Sequence, residues 1–132
     1  MVTLLKKNIF IVIIMVTLSG CSKISDYNCK YSEPFEATLT LHFTINEDNN
    51  YVPFEIYEGS ADKGKLLLKD FTYDSEVTYI VEIPKYYSVK AKYELHDKVF
   101  YVIDGGEMTK EEIYINGTTC WDYKDMTLDL RL

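Results

Sequence analysis

The chain is poor in the residues that most often carry chemistry. It has two histidines, His42 and His96, three cysteines, Cys21, Cys29 and Cys120, and one tryptophan, Trp121. Their spacing fits no zinc-binding pattern, so no metal centre and no cofactor are expected. A glycine-x-serine-x-glycine elbow is absent, which removes the common serine-hydrolase arrangement. Positive charge is also scarce, with 14 basic residues against 21 acidic ones and a net charge of −7. An acidic surface disfavours nucleic acid and anionic headgroups. The apolar run at residues 9–18 is far shorter than the roughly 20 residues of a membrane-spanning helix. Paired carboxylates give no support to glycoside hydrolysis, because 21 acids always offer some pair. The sequence therefore reads as a non-enzyme.

What is present begins at the N-terminus. Lys6-Lys7 precede the short apolar run, which ends in Leu18-Ser19-Gly20-Cys21. A positive n-region, a short apolar core and small residues before a cleavage point make a secretory signal. The tetrad resembles the lipobox of bacterial lipoproteins. That resemblance implies cleavage before Cys21 and a diacylglyceryl group on its thiol. Each buried methylene contributes roughly 0.8 kcal/mol, so two or more acyl chains anchor durably where one does not. The expected organisation is a signal peptide at 1–20, a lipidated N-terminus and short tether at 21–34, and one domain at 35–132. Cleavage removes two lysines and no acids, leaving a net charge of −9. The membrane partner is then the lipid and not a basic patch. Ser22 follows Cys21 where an inner-membrane retention signal would have aspartate, so the outer membrane is the expected location.

With Cys21 lipidated, Cys29 and Cys120 remain as a pair outside the cytoplasm, and both number and compartment favour a disulfide. Two free buried thiols are the alternative. The loop between them holds 90 residues, and closing it is worth on the order of 4–5 kcal/mol in the chain-entropy model.

Period-two alternation dominates from residue 36 onward. Ala37, Leu39, Leu41, Phe43 and Ile45 alternate with polar residues, and residues 46–50 break the pattern with turn formers. Phe54 and Ile56 alternate with Glu55 and Tyr57. Val77, Tyr79, Val81 and Ile83 share a face, as do Tyr87, Val89, Ala91, Tyr93 and Leu95. Residues 99–103 are apolar on both sides, which predicts a central strand or one covered by a partner. Asp104-Gly105-Gly106 is read as a turn, and Asn116-Gly117 is the strongest hairpin dipeptide available. Met126, Leu128, Leu130 and Leu132 form a last alternating set. The fold class is all-β: an antiparallel sandwich of seven or eight strands, with a small barrel as the alternative.

Residues 54–59, a glycine-containing loop and Tyr86-Tyr87-Ser88-Val89-Lys90-Ala91 resemble transthyretin-like and other Ig-like sandwiches. They also resemble small single-domain lipoproteins of Bacteroidota-type bacteria, a group without an assigned activity. Gly59 to Lys65 has P-loop spacing, but Leu66 stands where magnesium needs Ser or Thr, so the segment reads as a strand connection. His42 and His96 fall on the polar faces of strands. Asp48, Asp104 and Glu107 lie in predicted turns without a calcium-loop spacing. Asn116-Gly117-Thr118 has the form of a glycosylation acceptor and is read as a turn. Tyr57, Tyr114 and Tyr123 fall outward or in loops and are the candidate binding residues.

The expected function is a lipid-anchored, monomeric interaction domain binding an envelope protein or glycan near the membrane. The alternatives are an accessory lipoprotein of a surface or secretion assembly and a small envelope inhibitor. The segment Asp26-Tyr27-Asn28-Cys29 loosely resembles membrane-bound lysozyme inhibitors, but the chain has no Ser-Gly after the signal, so their inhibitory motif is missing.

Overall fold

A computed structural model describes residues 30–132. The predicted signal segment, Cys21 and Cys29 lie outside the described residues. Nine strands follow in order: β1 (Glu36–His42), β2 (Val52–Glu58), β3 (Lys65–Thr72), β4 (Glu76–Glu82), β5 (Lys85–Leu95), β6 (Lys98–Met108), β7 (Lys110–Ile115), β8 (Thr118–Tyr123) and β9 (Met126–Asp129). They make a four-stranded sheet ordered β3-β2-β5-β6, a three-stranded sheet ordered β4-β1-β9 and a β7-β8 hairpin. The described residues are all-β and sandwich-like, as the alternation predicts. One pair departs from the antiparallel pattern, because β9 runs parallel to β1.

The alternating apolar positions meet between the two larger sheets. Leu39 and Leu41 from β1, Phe54 and Ile56 from β2, Val89 and Ala91 from β5 and Leu128 from β9 form one buried cluster. Tyr87 and Tyr93 are buried with them, and each hydroxyl has a partner. Tyr87 donates to the Glu82 carbonyl at 2.5 Å, and Tyr93 donates to the Leu130 carbonyl at 2.6 Å. The Thr44 N–H donates to the Tyr93 hydroxyl at 3.0 Å. These bonds let β5 bury large rings while keeping their polar tips satisfied.

The turns follow their local chemistry. Asn46 Oδ1 accepts from the N–H groups of Asp48 and Asn49 at 3.0 and 2.9 Å, closing the β1–β2 connection. Asn116 and Gly117 have φ of 50° and 80°, the left-handed pair that a two-residue hairpin requires. His96 and Asp97 do the same between β5 and β6, with φ of 51° and 60°. His96 is therefore a turn residue and not, as expected, a strand residue.

Two predicted boundaries change. Asp104-Gly105-Gly106 does not turn; β6 continues through it to Met108. A Cβ on Gly105 would lie 2.9 Å from the Tyr87 carbonyl oxygen, and one on Gly106 would lie 2.8 Å from the Met126 sulfur. Glycine there allows close packing within a strand, so Asp104 and Glu107 are strand residues and not turn residues. The second change is the place of residues 99–103. They lie in β6 at the edge of the four-stranded sheet, not at its centre. Of the last alternating set, β9 takes Met126 and Leu128 and closes at Asp129. Leu130 and Leu132 still follow β1, their N–H groups bonded to the His42 carbonyl and the Thr44 hydroxyl at 2.9 Å each.

Candidate binding surface

The outer face of the four-stranded sheet carries the polar half of the alternation of its two central strands, β2 and β5. Glu55 of β2 is opposite Lys69 on one side and Lys90 on the other, so the three share a face. Glu55 lies 3.7 Å from Lys69 Nζ and 3.4 Å from Lys90 Nζ. Lys90 also meets Asp62 at 2.6 Å, which draws the β2–β3 loop over the sheet. Tyr57 lies under that loop, with its hydroxyl donating to Glu55 and, at 3.3 Å, to Asp62.

These contacts shift the groups involved. The Tyr57 hydrogen bond, followed by Lys90, holds the Glu55 carboxyl below its usual range despite desolvation. The Glu55 bond, followed by burial, pushes the Tyr57 hydroxyl up to about 12. Hydrogen bonding to Asp62 and then Glu55 raises Lys90. The centre of this face is thus a closed charge network, with its groups already paired.

Apolar groups flank that network on both sides. On the β3 side, Tyr51, Phe71 and Tyr73 are exposed and contact one another. Phe71 and Tyr73 are edge-to-face at 5.4 Å, Tyr51 and Phe71 at 5.9 Å, and Tyr51 and Tyr73 are 6.1 Å apart. On the β6 side stand Val99, Tyr101 and Ile103, the last two 56% and 54% exposed. Between the rims runs an open groove of about 260 Å³, lined by Pro53, Glu55, Lys69, Lys90, Lys92 and Tyr101 among others. A smaller recess of about 110 Å³ adjoins Tyr51 and is bordered by Asp48, Asn50, Lys92 and Glu94. Asn49 fixes its wall: its amide donates to the Glu94 carbonyl at 3.0 Å and accepts from the Glu94 N–H at 2.9 Å.

The three candidate tyrosines do not converge. Tyr57 is on the outward face that its alternation predicts, yet it is only 7% exposed because the loop covers it. Tyr123 is partly buried against the core. It also receives Lys30, whose ammonium bonds its hydroxyl and lies 4.5 Å from its ring centroid. Tyr114 is exposed on β7, away from the other two. The aromatic surface instead comes from Tyr51, Phe71 and Tyr73. The one sequence signal for it is aromatic residues beside turn formers, Tyr51 after Asn49-Asn50 and Tyr73 before Asp74-Ser75.

The C-terminal part of the predicted 21–34 tether, residues 30–34, is fastened to the β7–β8 hairpin. Lys30 pairs with Trp121 through backbone bonds of 2.7 and 3.4 Å. Lys110 bonds Glu33 at 2.8 Å and the Pro34 carbonyl at 2.9 Å, with its ammonium over the rings of Phe35 and Trp121. Cys120, beside Trp121, is fully buried.

The remaining motifs have structural explanations. Residues 59–64 connect two strands, and Lys65 begins β3 where a phosphate-binding loop would begin a helix. A Cβ on Gly64 would fall 2.2 Å from the Glu58 carbonyl oxygen, so the glycine serves the close turn. His42 lies on β1 with its Nδ1 4.0 Å from Glu76. Among the described residues, no three His, Cys, Asp or Glu side chains are grouped to hold a metal ion, and no helix is long and apolar enough to cross a membrane. No protein family matches the chain, and no curated protein or solved structure is significantly similar to it.

Proposed function

We propose that this chain is a lipid-anchored interaction module of the bacterial cell envelope that binds a protein partner close to the membrane. The exposed cluster of Tyr51, Phe71 and Tyr73 carries the reading. Aromatic residues that already pack on one another lose little conformational freedom on binding, and such rings dominate protein contacts. Their edge-to-face arrangement offers no coplanar platform for an extended polysaccharide, which favours a protein over a glycan. The recess of Asp48, Asn50, Lys92 and Glu94 beside Tyr51 supports a short glycan as the second reading. The closed charge network of Glu55, Lys90 and Asp62 supports binding over catalysis.

Anchorage rests on the tetrad ending in Cys21 and on the fastening of Lys30. Lys30 paired to Trp121 brings the chain next to Cys29 toward Cys120, in support of a Cys29–Cys120 disulfide. Residues 22–28 then connect lipid to domain and reach about 25 Å at most. The partner is accordingly at the membrane surface, with the outer membrane as the proposed location.

A photoreactive amino acid at Phe71, in the intact envelope, tests the binding surface, with the same group at exposed Ile80 on β4 as control. One discrete adduct from position 71 and none from position 80 is expected. No adduct, or the same ladder from both, would refute the reading. Added soluble polysaccharide that competes the adduct away would select the glycan instead. Fractionation of Cys21→Ala tests the anchor, and its release from the membrane is expected.

A further inference from the structure

We infer that β6 is a self-pairing edge, through which two copies of this chain join antiparallel about Tyr101 into one continuous sheet. This stands apart from the aromatic cluster and revises the sequence expectation of a monomeric domain.

The direction of the backbone groups comes first. The N–H and C=O of Glu94 both engage Asn49, on the β2 side of β5. The Tyr86 carbonyl likewise accepts from the Gly59 N–H at 2.8 Å on that side. Alternation along β5 then turns the backbone of Tyr93, Ala91 and Val89 toward β6, where their partners are Phe100, Val102 and Asp104. The backbone groups of Val99, Tyr101 and Ile103 consequently point away from the sheet. Among the described residues β6 has a strand partner on one side only. An unpaired row of donors and acceptors is a template for another strand.

The side chains say which strand. A two-fold axis through Tyr101 sets Val99 opposite Ile103, Phe100 opposite Val102 and Lys98 opposite Asp104, each twice. Every apolar residue of the edge meets an apolar one, and the flanking charges meet with opposite sign. Shifting the axis to Phe100 places Lys98 opposite Val102, and shifting it to Val102 places Lys98 opposite Gly106; both lose the match. The central register also makes Tyr101 face its own copy as a hydrogen-bonded pair, with Val99 and Ile103 exchanging bonds on either side. Asp104 accepts from the N–H groups of Gly105 and Asp129 at 2.8 and 2.9 Å, which leaves its carboxylate lone pairs for an ammonium. Nothing in residues 99–103 guards the edge, since they contain no charge and no proline.

Oxidative crosslinking of the full-length chain in the envelope reads out the register. Paired Cα atoms in a hydrogen-bonded antiparallel pair lie about 5.5 Å apart, within disulfide range. Tyr101→Cys should give a disulfide-linked homodimer, and Val99→Cys should not, because its own copy lies four residues out of register. Lys98→Glu in the Tyr101→Cys background should lower the crosslinked fraction by roughly tenfold through two like-charge contacts, while Lys98→Arg should keep it. Absence of the Tyr101→Cys dimer overturns the inference, including the case where a strand of another protein occupies the edge. Equal dimer from Val99→Cys, or no effect of Lys98→Glu, overturns it as well.

Discussion

Two strands bound the four-stranded sheet, and they are built differently. β3 carries Lys65, Lys69 and Asp70, runs beside a charged network and is irregular opposite Ile56 and Tyr57, where its register to β2 shifts. β6 keeps an unbroken register with β5 from Lys98 to Met108 and has five uncharged apolar residues in its exposed half. A bulge and charges blunt an edge, whereas a regular apolar edge invites pairing. The same sheet thus has one side that resists strand addition and one side that is open to it.

The largest expected effect comes from breaking what backs the β6 half of the sheet. Tyr93 faces Phe100 in the register and places its hydroxyl between the Leu130 carbonyl and the Thr44 N–H. Tyr93→Phe leaves those buried groups without it and should destabilise the domain by about 1–3 kcal/mol in urea unfolding. On the β3 side, Lys69→Ala removes an exposed ion pair and should change stability by about 0.5 kcal/mol or less.

Next is the transfer of β3's defence onto β6. Tyr101→Lys puts a charge at the centre of the open edge and should abolish self-association, at a stability change within about 1 kcal/mol for an exposed position. Sedimentation of the solubilised full chain measures the association and urea unfolding the stability, and persistent dimer would mean that the edge is not the contact. Two smaller effects concern pH. Tyr57 has its pKa raised to about 12 by the Glu55 bond. An acid whose folded pKa is raised contributes stability below its unfolded value near 10, and that contribution is lost as pH rises from 10 to 12. Tyr57→Phe should make the alkaline fall of a melting-temperature profile smaller, the raised Tyr79, Tyr87 and Tyr93 hydroxyls supplying the rest. Smallest is Asp129, held at about 2 by the Arg131 side chain first and the Arg131 backbone next. A depressed carboxyl contributes above its unfolded value near 3.9 and loses that contribution as pH falls toward 2. Asp129→Asn should flatten the profile there.

Alternation made the inward faces of β1, β2 and β5 legible in the sequence, because each buries one face only. The Asn116-Gly117 hairpin was equally legible, since few dipeptides adopt two positive φ angles. Strand order was not. Residues 99–103 read as central because edge and centre differ in what lies alongside, which no local pattern records. Tyr57 shows the same limit: its face was legible, but its cover is the Asp62 loop held down by Lys90, which is far along the chain. The cluster of Tyr51, Phe71 and Tyr73 depends on the pairing of β2 with β3, so only the fold assembles it.

Amide hydrogen exchange of the full chain at two protein concentrations compares the edges most directly. The N–H groups of Val99, Tyr101 and Ile103 should slow markedly as concentration rises, while the outward amides of β3 exchange at the same rate throughout. Fast exchange of Val99, Tyr101 and Ile103 at every concentration would contradict the account.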